Sequence, residues 1–161
     1  MKQKLLISAA TAAAIYIAAP LIELVEGVEN NPYMDIAGIP TVCSGITGPD
    51  VVWGKTYSNR ECRNLLEKHI QIHAKYVQDA VTYPISPETR AALISFSYNV
   101  GGHAMKNSTA VRLINHGKVE QGCKALGMWN KARVNGKLKV VKGLVNRRKE
   151  EIELCLSGLQ R

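Results

Sequence analysis

The chain has 161 residues, with 21 Lys and Arg against 13 Asp and Glu, for a formal charge of +8. That length supports one well-buried core with a small lobe attached and excludes two ordinary domains. Residues 1–22 hold only Lys2 and Lys4, so the remainder carries 19 of the 21 basic residues and all 13 acidic ones and is itself basic. Such a surplus favours encounter with polyanions, among them nucleic acid, anionic lipid and acidic cell wall, without choosing between them.

After the basic MKQK comes an uncharged run, Leu5 to Ile22, with seven alanines. As a helix it would measure about 27 Å against a hydrocarbon core of about 30 Å, so it can span a bilayer, marginally. Ser8, Thr11, Tyr16 and Pro20 weaken its preference for lipid. Lys2 and Lys4 place the N-terminus in the cytoplasm and the rest of the chain outside. Two alternatives stand behind this one. A cleaved signal peptide has a small-x-small site at Ala12-Ala13-Ala14, but with a short apolar core ahead of the cut. A buried core helix is opposed by the basic flank and by the lack of an amphipathic period. Cys43, Cys62, Cys123 and Cys155 form an even set with no CxxC pair, which argues against structural zinc. They stand as two disulfides in an exported chain or as four buried thiols in a cytosolic one.

In chain order, Leu21 to Glu26 predicts a short helix that Gly27 ends. Residues 28–56 hold most of the Gly and Pro punctuation, with β-prone runs at Ile39 to Cys43 and Val51 to Trp53, and predict a small irregular sheet. Ser58 with Glu61 is a capping box opening a long amphipathic helix to about Val81. Ser86 and Pro87 start a second, strongly apolar helix, which the glycines at 101 and 102 end and which should lie at the centre of the core. Shorter helices follow at about 108–116 and 118–128, and a last one near 144–157 turns Ile152, Cys155 and Leu156 inward. The basic run 131–143 reads as a solvated loop.

Chemistry concentrates in EGVENNPYMDIAGIPT, where Glu26 sits at a helix end, Asp35 follows after eight residues and Thr41 after five more. Glycoside hydrolysis needs a protonated carboxyl to donate to the leaving oxygen and an ionised carboxylate across the bond, hence two carboxyls in unlike surroundings. Leu24, Val25 and Val28 would set Glu26 against apolar surface, while Asp35 in a Gly-containing loop would stay solvated. Spacing alone leaves Glu23 and Glu29 as equal contenders and a pair of ordinary solvated carboxylates as the simpler account. His69 and His73 share a helical face at i, i+4, but no third ligand is placed and HExxH is missing, so no metal is expected and both read as polar-face residues. Trp53 and Trp129 are core residues or sugar platforms.

The run E-x8-D-x5-T after a short helix, with EG, YxD, then Gly and Thr, resembles the active-site segment of phage-type (T4-like) lysozymes. The resemblance continues through SPETRAALISFSYNVG, the NST segment and GLVNRR, from about Glu23 to the C-terminus. It is strongest to the lambdoid branch, which carries the four cysteines in similar positions and a signal-arrest-release segment at its N-terminus. The resemblance implies an α+β, mainly helical lysozyme-like fold. Residues 1–22 would form the membrane segment and 23–161 the catalytic domain, with a small β lobe over about 23–57 and a helical lobe over about 58–161. It also implies Glu26 as general acid, Asp35 as second carboxylate, Thr41 as the residue orienting water, and Arg147 as support for the Glu26 helix. Tyr98 and Ser108 would line the glycan cleft, with core or cap positions as the alternative. Family topology suggests Cys43 to Cys62 and Cys123 to Cys155 bridges. One departure is Cys43-Ser44-Gly45-Ile46, where the branch has a His, so a His-linked ion pair to the long helix is expected to be missing.

The expected protein is therefore a monomeric endolysin muramidase without cofactor. It would cleave the β-1,4 bond between N-acetylmuramic acid and N-acetylglucosamine, with peptidoglycan and the inner membrane as partners and no nucleic acid. It would be tethered and inactive in the inner membrane, then released to the periplasm, where the Ala-rich segment could pack onto the enzyme. The rivals are a membrane-tethered module that binds peptidoglycan or nucleic acid without cutting, and a lytic transglycosylase on the same fold, for which one carboxylate suffices.

Overall fold

The computed structural model describes residues 7–159; Lys2, Lys4 and the first two residues of the apolar segment, Leu5 and Leu6, lie outside them. The apolar segment and the predicted short helix are one helix, α1 (Ala9–Glu26), capped by the Ser8 hydroxyl accepting from Thr11 N at 3.2 Å. Gly27, at φ 71°, ends it by donating to the Glu23 carbonyl at 2.9 Å. Ala14, Ala18 and Ile22 are fully buried at four-residue intervals and pack toward two later helices, α2 (Asn59–Ala80) and α3 (Pro87–Val100). The opposite face is also apolar, with Tyr16 84% and Leu24 72% exposed. The Ala-rich segment thus packs onto the enzyme by one narrow face, although the helix lacks an amphipathic period. Its buried face is selected by size: two alanines let the backbones approach closely before Ile22 fills the space beyond them.

The small lobe is an antiparallel sheet in the order β1 (Glu29–Met34), β2 (Pro40–Cys43), β3 (Ile46–Thr47). Tyr33 faces Thr41 and Glu29 faces Cys43, with a bulge between the two pairs. Ile39 to Cys43 was expected as a strand and supplies β2; Val51 to Trp53 forms none, and Trp53 is exposed. Instead the Tyr57 hydroxyl reaches back into this stretch, donating to the Asp50 carbonyl at 2.5 Å and accepting from Val52 N at 3.0 Å. Those bonds satisfy backbone that a strand would otherwise have paired.

The helical lobe begins with α2 (Asn59–Ala80), where the Ser58–Glu61 capping box is present in full. Several links join α2 to the small lobe, among them a disulfide and a charged cluster. Cys43 is bonded to Cys62, and Asp50 meets Lys68 at 2.9 Å and His69 at 3.1 Å. The expectation that the His-linked ion pair would be missing is therefore corrected: the histidine is supplied by the long helix itself and the carboxylate by the lobe. Hydrogen bonds from Lys68 and then His69 hold the Asp50 carboxyl below its usual range.

Helix α3 (Pro87–Val100), capped by Ser86, is central, with Ala91 through Ser97 all buried, and it packs against α1, α2 and α7. The glycines at 101 and 102 end it as predicted, but Gly102 opens a further short helix, α4 (Gly102–Lys106). Then come α5 (Thr109–Asn115), α6 (Val119–Ala125) and a tight turn over residues 126–128. Residues 131–140, read as a solvated loop, form an antiparallel hairpin, β4 (Lys131–Val134) and β5 (Lys137–Val140). Its turn is Asn135-Gly136, both at positive φ, and Asn-Gly is the strongest short hairpin signal in any sequence. The basic charge had masked it. Helix α7 (Lys142–Ser157) closes the bundle, with buried Cys155 bonded to Cys123 and Trp129 edge-on to Phe96.

His73 lies between α2 and α3, its Nδ1 2.8 Å from Ser97 Oγ, with Tyr76 and Tyr98 rings alongside. Burial first, and the charge of His69 second, bring it down from 6.5 to about 4. The folded protein thus binds this proton less readily than the unfolded chain does. Its contribution is complete above about pH 6.5 and is lost as pH falls toward 4, by an amount on the order of 2–3 kcal/mol. Urea unfolding of wild type and His73→Gln at pH 7 and pH 4.5 should show a smaller acid loss in the variant.

Candidate active site

Glu26 is the last residue of α1, and its side chain is 23% exposed. Arg147 of α7, only 5% exposed, ion-pairs with Glu26 Oε1 through one terminal nitrogen; the other donates to the Ser95 carbonyl of α3 at 3.1 Å. The glutamate expected to lie against apolar surface is thus held by a guanidinium between three helices. On its other side stands Gly45, in the β2–β3 turn at φ 73°. A Cβ there would lie 2.9 Å from Glu26 Oε2 and 3.1 Å from its Cδ. Glycine is required twice over, for the backbone conformation and for the close approach.

The turn that carries Gly45 is pinned at each of its preceding residues. Cys43, at φ 56°, is bonded to α2, and the Ser44 carbonyl accepts from the Tyr98 hydroxyl of α3 at 2.6 Å. Tyr98 therefore joins the lobes beside the carboxyl. Burial and then the Glu26 charge push its phenol well above the usual tyrosine range, against a smaller pull from Arg147.

Asp35 occupies the β1–β2 connection, half-buried. Its Oδ1 accepts from Ala37 N at 2.8 Å and Ile39 N at 2.9 Å, which fixes the loop as well as the carboxylate. Thr41 is buried, and its hydroxyl donates to the Ile39 carbonyl at 2.9 Å. Tyr33, paired with Thr41 in the sheet, links the acidic groups. Burial first, then Glu26, Asp35 and Glu29 in that order, raise its phenol. Of the other contenders, Glu29 accepts from Asn31 N at 3.3 Å, and Glu23 sits a turn before Glu26 on the same helix.

Two concavities flank the Glu26–Arg147 pair. One, of about 420 Å³, runs from Glu26 past Glu29 and Asn31 to Tyr33. The other, of about 630 Å³, lies between Val25, Ile36, Asn99, Trp129 and Arg147 and is bordered by the hairpin. Ser108 is elsewhere. It is 3% exposed and caps α5, accepting from Val111 N at 3.2 Å and donating to the Met105 carbonyl at 2.7 Å. Among the described residues no cluster of His, Cys, Asp and Glu is placed to hold a metal ion. Gly45, Tyr33 and the Ser95 carbonyl were missed from sequence. Only Gly45 had a signal, a glycine two residues past a cysteine in a β turn.

A carboxyl at a helix end, set between a small antiparallel lobe and a helical bundle and flanked by open grooves, is the layout of a lysozyme-type glycoside hydrolase. The chain belongs to the phage lysozyme family, which it matches over residues 23–151. It is 44% identical to the SAR-endolysin of Pseudomonas phage phiKMV over 148 residues, 92% of this chain and 89% of that protein. To the SAR-endolysin of Enterobacteria phage P21 it is 42% identical over 135 residues, 84% and 79% of the two chains. The phiKMV match is longer than residues 23–161, so the likeness reaches into the apolar segment. Among solved structures, an endolysin from the Escherichia coli O157:H7 phage FAHEc1 superimposes with a TM-score of 0.82 at 29% identity, covering 97% of this chain and 96% of that one.

Replacing Gly45 by Ala would strain the turn by roughly 1–2 kcal/mol and push on the Glu26 carboxyl. The expected outcome is a kcat at least tenfold lower with KM little changed, measured on a soluble cell-wall substrate.

Proposed function

We propose that this glycoside hydrolase is an endolysin muramidase that hydrolyses the β-1,4 bond from N-acetylmuramic acid to N-acetylglucosamine in peptidoglycan. The observation that carries the proposal is Glu26 locked between Arg147 and Gly45 at the junction of two grooves, where a polymer can lie across it. Glu26, as general acid, gives a proton to the glycosidic oxygen as the bond from the anomeric carbon breaks. A water adds to that carbon and loses its proton toward Asp35. The Thr41 hydroxyl has its own proton engaged by Ile39, so its oxygen is left to accept a hydrogen bond from the water and turn it. Two backbone N–H groups donate to Asp35 Oδ1 and hold its carboxyl group in place beside the water. Tyr98 serves the site by joining the turn at Ser44 to α3.

The released and tethered states follow from α1 as one helix. Residues 5–22 would hold the chain in the inner membrane with Lys2 and Lys4 inside the cell. Glu26 lies only four residues beyond Ile22, about 6 Å along a helix, so the carboxyl would be pinned at the lipid surface. The described helix is long and apolar enough to cross a membrane, yet Ala14, Ala18 and Ile22 are buried in the enzyme. The same residues suit lipid in one state and core in the other, and in the packed state Glu26 reaches Arg147. Peptidoglycan is then met in the periplasm, where the two disulfides are stable.

Glu26→Gln tests the chemistry. Turbidity clearing of cell walls should fall roughly 10²-fold or more with unchanged circular dichroism, and retained clearing would remove Glu26 from the reaction. A pair of alanines tests the tether. Ala13 is exposed in the folded enzyme, so Ala13→Leu should leave the urea midpoint unchanged while increasing the membrane-bound fraction and delaying lysis. Ala18 is fully buried, so Ala18→Leu should cost about 1–3 kcal/mol of folding stability by overpacking. Unchanged lysis timing in Ala13→Leu would count against release from lipid.

A further inference from the structure

Behind Arg147 lies a second carboxylate that the reaction does not touch. Glu151, one turn further along α7, is fully buried, and its Oε1 accepts from Ser95 Oγ at 2.8 Å, Arg147 Nε at 3.2 Å and Arg148 at 3.0 Å. Its Oε2 lies 2.8 Å from Arg148 Nε. Arg148 is 1% exposed, sits over the Phe96 ring and donates also to Asn99 Oδ1 at 3.0 Å. A core this size has no packing need for two arginines and a glutamate on consecutive turns, and burying an unbalanced charge is strongly destabilising.

We propose that Glu151 is a positioning residue for the proton donor: it orients the Arg147 guanidinium and cancels the charge of Arg148, so that Glu26 faces one net positive charge rather than two. The proposal rests on Glu26 being the general acid. Both guanidinium groups touching Glu151 can only donate, and a protonated carboxyl would turn a donor toward them, so the arrangement fits the carboxylate. Burial pushes the Glu151 carboxyl up, while Arg148, Arg147 and the Ser95 hydroxyl draw it back. Arg147 Nε on Glu151 and its other nitrogen on the Ser95 carbonyl leave the remaining terminal nitrogen aimed at Glu26. Three hydrogen-bonded directions fix a planar group completely.

The groups around Glu26 are few. Arg147 approaches from α7 with Arg148 behind it, and Tyr98 from α3 and Tyr33 from β1 are both electrostatically coupled to it; the β2–β3 turn contributes only Gly45, and Glu23 shares its helix. Removing the Glu151 charge leaves two buried guanidinium groups with Glu26 as their nearest remaining carboxylate. The ionised form of Glu26 is then favoured, and the acid loses its proton at lower pH.

The test is the pH dependence of kcat/KM for cell-wall hydrolysis by the released enzyme, with thermal unfolding recorded alongside. In Glu151→Gln the alkaline limb should move down by about one pH unit, close to a tenfold loss on that limb and little loss on the acid side. Adding Arg148→Met to Glu151→Gln removes one charge of each sign and should return the limb toward its wild-type position. Should Glu151→Gln not fold, Ser95→Ala, which withdraws one donor from the Glu151 carboxylate, should move the limb in the same direction by less. A limb that stays in place in the folded variants, with activity reduced evenly at every pH, would overturn the proposal and leave Glu151 a structural residue only. Glu26→Gln, run in parallel, separates the two levels. If it is inactive while the limb fails to move, the positioning role alone falls; if it remains active, the identity of the acid falls and the positioning role with it.

Discussion

A single ion pair joins the two ends of the chain: Glu26 closes the first helix, Arg147 lies near the start of the last, and 121 residues separate them. Everything between can be viewed as what is needed to bring these groups together and keep water from loosening the contact. Helix α3 supplies the surface on which both α1 and α7 pack, and its Ser95 meets Arg147 through the carbonyl and Glu151 through the hydroxyl. An arginine with each edge occupied has little freedom, and that stiffness is passed on to the carboxyl it holds. A buried pair of this kind contributes little to stability once desolvation is counted. Its value lies in geometry.

The small lobe meets the same carboxyl from the other side through one turn. Cys43 ties that turn to α2, Ser44 to α3 through Tyr98, and Gly45 sits against Glu26 itself. Asp50 with Lys68 and His69 adds a second strap to α2. Asp35, in the β1–β2 connection, and Thr41, in β2, belong to the same lobe, so their distance from Glu26 is governed by how firmly the lobe is strapped. A two-lobed enzyme can open between its lobes; here a covalent bond and a charged cluster oppose that movement.

On the proposed release from the membrane, helix α1 has to satisfy two solvents in succession. Lipid asks only for apolar length, and the core asks for a narrow face that admits neighbouring backbone. An alanine-rich helix meets both because alanine is apolar enough for the bilayer and small enough for close packing, with Ile22 the one bulky buried anchor. The exposed Tyr16 and Leu24 show the compromise, since the surface of an ordinary soluble helix would be polar there.

The local signals in the sequence were determinate: the capping box at Ser58, the Ser86-Pro87 start, the Gly27 stop and the alternation of lobe and bundle each follow from short-range chemistry, and each is present. The carboxylate run at 26–41 was also legible, though only its resemblance to a family separated it from neighbouring acids. The Asn-Gly hairpin is equally local, its turn signal lying inside a run of basic residues that otherwise has the composition of a solvated loop. Three features belonged to tertiary structure alone: which face of an all-apolar helix is buried, that Asp50 meets His69, and that Glu151 backs the arginine; the resemblance named Arg147 as support for the Glu26 helix, and the structure adds that it grips the carboxyl itself. A helix face is chosen by the shape of what packs against it, and an ion pair across 121 residues depends on two helix axes being brought to one point. Neither quantity is written in any short stretch of chain.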